Sequence, residues 1–84
     1  MEDTDLVASL IPAIEQQLES PETPFVKKTY ERLMKDEETD EEDVLYMMAI
    51  CLADESNRMF IDKRDFDIAR YKELLDALPE IPQG

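Results

Sequence analysis

The chain has 84 residues, with 22 Asp and Glu against 9 Lys and Arg, a formal charge of -13, one Cys and no His or Trp. A chain this short forms one domain with a limited core and leaves no room for a deep cleft between domains. The lone Cys and the missing His exclude a disulfide framework, Cys/His zinc sites and His-based triads. The negative field opposes nucleic acid and anionic lipid and favours basic partners.

The charge is uneven: residues 1–42 carry thirteen acids and four bases, residues 43–84 nine and five. The acidic start, Met1 to Asp5, lacks the basic and apolar character of an export signal, and with the single thiol this points to a reducing, cytoplasmic location. One Gly at the far end and five Pro, none inside a long periodic stretch, make a helical composition. The chain is expected to be a single domain over 1–84 with mobile ends at about 1–4 and 80–84.

The first apolar pattern, Leu6, Val7, Leu10, Ile11, Ile14 and Leu18, has helical spacing interrupted by Pro12. Proline is accommodated in a first turn, where its missing N–H costs nothing, so a short turn at about 5–10 and a helix at 12–19 are predicted. Ser20 to Pro24 reads as a linker. Thr23 and Pro24 then form an N-cap and first-turn pair opening a helix at 24–36, with Val26, Tyr30 and Leu33 on one face.

From Asp36 to Asp43 every residue but Thr39 is acidic. Thr39 and Glu42 have the spacing of a capping box, and acids in a first turn suit the helix dipole, so the run reads as a loop and a helix start. Its competing reading is a docking run made of Glu37, Glu38, Asp40 and Glu41.

The third helix is predicted at 40–61 and contains an unbroken apolar run from Tyr46 to Ala53. The run falls far short of the ~20 residues of a membrane span. A helix that is apolar nearly all round must be covered on several sides, which makes this the central helix of an all-α, four-helix bundle. At about 100° per residue, Val44, Met48, Leu52 and Met59 share one stripe, and Glu55 falls in its middle. A buried carboxylate needs cationic hydrogen-bond partners or an upward pKa shift, and Arg32, Arg58 and Arg70 are the partners within reach. The alternative is a polar contact in a binding groove. After a polar connection, Asp67 caps a fourth helix at 68–78. Phe66 is placed to staple onto Tyr71, and Ile68, Tyr71, Leu75 and Leu78 form the buried face.

Chemistry finds little support. No stretch places oxygen ligands, a central Gly and a terminal Glu at EF-hand spacing, and Lys63 and Arg64 are interleaved among Asp62, Asp65 and Asp67. A di-iron carboxylate bundle requires His. Cys51 lies in the apolar run, where a thiol behaves as a small hydrophobe, and the Met residues read as core filler. No cofactor or metal is expected.

Residues 24–79 resemble a family of small uncharacterised bacterial helical proteins, a domain of unknown function. The resemblance rests on Pro24, Val26 and Thr29 to Met34, on Thr39 to Glu42, on Glu55, and on the block Phe66, Asp67, Arg70, Tyr71, Leu75, Leu78 and Pro79. Such proteins usually carry a Gly in the loop before the third helix, where this chain has Glu37 and Glu38. The resemblance implies a bacterial cytoplasmic protein, supplies no substrate or catalytic residue, and singles out Arg32, Glu55, Arg70 and Tyr71. The resulting expectation is a non-catalytic protein-protein interaction module with an unidentified partner that the charge favours as basic. Its alternative is an acidic nucleic-acid mimic; a small enzyme or metal-binding protein ranks below both. Neither direct nucleic-acid nor membrane binding is expected, and the oligomeric state is open.

Overall fold

In a computed structural model, residues 6–80 can be described; the expected mobile ends at 1–4 and 80–84 lie outside them except for Glu80, whose N–H closes a turn onto the Ala77 carbonyl. The elements are α1 (Leu6–Ser9), α2 (Ile11–Glu19), α3 (Pro24–Met34), α4 (Glu41–Asp62) and α5 (Ile68–Ala77). A single turn thus precedes four helices, and the described residues contain no strand.

Pro12 causes the break between α1 and α2. It sits in the first turn of α2 and donates no N–H, while the N–H groups of Ala13 and Ile14 both turn back to the Leu10 carbonyl. Thr23 occupies the N-cap position of α3 without capping it: its hydroxyl donates instead to the Gln17 carbonyl at 2.9 Å, fastening the linker to α2. The expected box between Thr39 and Glu42 does not form either. Asp40 is the N-cap of α4, one residue later, with no side-chain bond to the helix, and the acids Glu41, Glu42 and Asp43 meet the dipole from the first turn.

At the other end of α4, Lys63 adopts the left-handed conformation, with φ 54° and ψ 50°. That reversal lets the N–H of Arg64 bond to the Met59 carbonyl at 3.1 Å, a Schellman-type closure in which Lys replaces the usual Gly. Asp67 caps α5 as expected, its carboxylate accepting from the Arg70 N–H at 3.1 Å. Phe66 meets Tyr71 edge-on with ring centroids 5.4 Å apart, the predicted staple.

Helix α4 is central: α1, α2, α3 and α5 all pack against it. Val44, Met48, Cys51 and Leu52 on α4 bury against Ile14, Val26, Leu33, Tyr71, Leu75 and Leu78. Two expectations of burial fail. Ile68, the first residue of α5, is 52% exposed because the other helices cover α5 from Tyr71 onward. The apolar run of α4 is not covered all round, and Tyr46 remains exposed on its outer side.

Candidate functional site

Glu55 is fully buried on α4, two turns before the helix ends. Its two oxygens receive four donors. Oε1 accepts from Arg70 at 2.7 Å and Arg64 at 3.2 Å; Oε2 accepts from Arg64 at 2.7 Å and from the Asp67 backbone N–H at 2.7 Å. Arg64 is therefore a bidentate partner, and Arg70 also bonds Asp54 on α4. The Arg64 hydrogen bond, with those of Asp67 and Arg70, outweighs the opposing effect of burial and holds the Glu55 carboxyl at about 2, against an ordinary 4.5. Every lone-pair position of the carboxylate is occupied, so it fastens α4 to the α5 cap and offers no basic site to a substrate.

The four residues singled out in the sequence are not one cluster. Glu55 and Arg70 meet. Arg32 does not approach Glu55; its guanidinium donates to the carbonyls of Leu78 at 2.9 Å and Leu75 at 3.0 Å, satisfying acceptors at the end of α5. The Tyr71 hydroxyl donates to the Gln17 side chain at 2.7 Å, while its ring packs against Phe25 and Phe66. Arg58, the third expected partner of Glu55, is exposed. Arg64 and Asp54 went unforeseen. The usable signal for Arg64 was its place just after a helix end, where a left-handed reversal sends the next side chain back along the helix.

Glu37, Glu38 and Asp40 are exposed in the loop between α3 and α4. Asp36 accepts from the Glu38 N–H at 3.0 Å, and Glu41 accepts from the Tyr30 hydroxyl at 2.6 Å. Among the described residues, no three or more Cys, Asp or Glu gather as a metal site, and no helix is long and apolar enough to cross a membrane. Cys51 is buried and its thiol is pushed up to about 12, chiefly by burial and then by Asp54.

Two surface features adjoin α4. A groove of about 540 Å³ runs beside its first turns, with Ala8, Ile11, Leu45 and Tyr46 as apolar lining and Glu15, Glu41, Glu42 and Asp43 at the rim. At the other end Phe60 is 82% exposed and Ile61 56% exposed. No family model, characterised protein or solved structure shows a significant match to this chain.

Proposed function

We propose that this domain is a non-catalytic protein-interaction module that binds through the outer face of α4. The observation carrying the reading is the 82% exposure of Phe60 beside the half-exposed Ile61. Fully burying a Phe contributes about 1.5–3 kcal/mol, and a domain with so small a core leaves that gain unused unless a partner supplies the cover. Aromatic anchors of this kind dominate the energetics of protein interfaces. The interior carboxylate fits a scaffold role, since its bonding capacity is spent on holding α4 to α5.

A second reading, an acidic mimic that occupies a basic partner's nucleic-acid site, draws on the exposure of Glu37, Glu38, Asp40 and Glu41 along one stretch of chain. On the first reading, residues 24–79 belong with the small bacterial helical proteins they resemble, and a cytoplasmic setting goes with them.

The test uses the intact domain and a Phe60→Ser, Ile61→Ser variant of matched thermal stability as baits. A protein retained by the first and lost by the second is expected, and it can be the same chain. Equal recovery on both baits would sink the reading; a partner lost only on Glu37→Gln, Glu38→Gln substitution would favour the mimic.

A further inference from the structure

Residues 1–26 and 36–57 contain no Lys or Arg. The groove of about 540 Å³ is walled by those two segments alone, with α1 and α2 on one side and the first turns of α4 on the other. Its charges are therefore of one sign. Glu15, Glu41, Glu42 and Asp43 stand at the rim, and no base lines it. The Tyr30 hydroxyl donates to Glu41 at 2.6 Å, a neutral partner that leaves the charge in place. Glu15, Glu42 and Asp43 make no side-chain hydrogen bond or ion pair among the described residues. The α4 dipole suits acids in a first turn, but its positive end amounts to roughly half a unit charge against three carboxylates. Glu15 lies in the middle of α2, where no helix end accounts for it.

Beneath this rim the floor is apolar. Leu45 is buried, Ala8 and Ile11 are half-buried, and Tyr46 is exposed. Helices α2 and α4 pack side by side here, and the apolar furrow on the outside of such a pair is the seat a third helix takes in a bundle. We infer that the groove receives an amphipathic helical segment of another protein, its apolar face in the furrow and Lys or Arg on its flanks. This rests on the reading of the domain as a protein-interaction module and supplies the chemistry of one partner segment. The site is separate from Phe60, which lies fourteen residues beyond Tyr46 on α4, about 21 Å away at ~1.5 Å per residue.

The rim and the floor contribute differently. Exposed ion pairs add little affinity each, but they orient a basic segment and speed its approach, whereas the apolar anchor supplies most of the affinity. An apolar helix without bases lacks that guidance, and nucleic acid and anionic lipid are repelled by the rim. A second copy of this chain does not supply the ligand: the bases Lys27, Lys28, Arg32 and Lys35 belong to α3 and its cap, whose apolar Val26 and Leu33 are spent in the core.

Fluorescence anisotropy of a labelled probe against the full chain tests the inference. The probe is a synthetic peptide of about 14 residues, roughly four turns, made of Leu and Lys alone with Leu on one helical face. Its control has the same composition in scrambled order. The amphipathic peptide should bind saturably at physiological salt and the control about tenfold more weakly, because both meet the same field and only one has an apolar face to bury. Glu15→Lys should weaken binding about tenfold, while Glu73→Lys, an equal change of charge at an exposed site on α5, should weaken it less than about threefold. Tyr46→Ser should weaken it as well, with the thermal melts of all three variants confirming the fold. Amide NMR shifts on adding the peptide should centre on Ala8, Ile11, Leu45 and Tyr46. Equal binding of the two peptides, or equal losses from Glu15→Lys and Glu73→Lys, would show the general field alone at work and overturn the inference. Shifts centred on Phe60 and Ile61 would overturn the groove as the site while leaving the interaction module standing. No saturable binding would overturn the basic helical occupant, and the module reading would then stand or fall on its own Phe60→Ser, Ile61→Ser baits.

Discussion

Glu55 accepts the backbone N–H of Asp67 at 2.7 Å, and the side chain of Asp67 in turn caps α5. The buried acid of the central helix thereby sets where the last helix begins. Arg64 and Arg70 close the same carboxylate from either side, each about 30% exposed, so the cluster is sealed by cations that still touch water. A buried charge of this kind is a poor source of net stability and an effective source of geometry, because its loss leaves the remaining partners without compensation.

Glu55→Gln should therefore destabilise the domain by about 1–3 kcal/mol, since two guanidinium groups lose their shared counter-charge. The carboxyl titrates at about 2 in the folded chain, well below its ordinary 4.5. Because the folded pKa is the lower one, the stability it contributes is complete above the unfolded value and is lost as pH falls from there towards about 2. Urea denaturation of both chains between pH 7 and pH 2 checks this: the gap between them should narrow over that acid range. A gap that stays constant would show that Glu55 is not held ionised.

Arg32 closes the far end of α5. Its bonds to the Leu75 and Leu78 carbonyls, 43 and 46 residues away in sequence, tie α3 to the chain where it leaves α5. Arg32→Ala should cost about 1–2 kcal/mol. Arg32→Lys should recover only part of it, because an ammonium cannot span two acceptors as a planar fork does. Thermal unfolding of both variants measures the difference, and faster amide exchange at Leu78 and Glu80 should accompany the loss.

Lys63 holds a left-handed backbone that costs a residue with a β-carbon roughly 1–2 kcal/mol. Lys63→Gly should remove that cost, offset in part by the greater freedom of Gly in the unfolded chain, for a net gain of about 0.5–1 kcal/mol. The melting temperature should rise. A fall would mean that the αL reversal is not what places Arg64 against Glu55.

Cys51 should be inert in the folded protein, since it is fully buried and its thiol titrates at about 12. Iodoacetamide at neutral pH should leave it unmodified for as long as the domain stays folded and should alkylate it in denaturant. Mass spectrometry after timed exposure reads the result directly; rapid labelling of the native chain would contradict the packing of α4.

The helices, the Asp67 cap, the Phe66 staple and the burial of Glu55 were legible because each follows from residues a few positions apart. The capping box at Thr39 was misread, since the acidic run presents several residues able to begin a helix and the chain begins it from Asp40. Ile68 was misplaced for a related reason: periodicity assigns a side to each residue, but only the neighbouring helices fix where their cover begins.

The amino-acid sequence by itself determined that this chain is all-helical, strongly acidic and centred on the apolar run of α4, because composition and spacing act locally and α4 alone holds enough apolar surface to build a core around. Only the tertiary structure decided which cations meet Glu55 and which face of α4 stays open. Arg32, Arg58, Arg64 and Arg70 carry the same charge and similar reach. The choice among them falls to the reversal at Lys63 and the docking of α5, which bring Arg64 and Arg70 to the carboxylate, carry Arg32 to the far end of α5 and leave Arg58 in solvent.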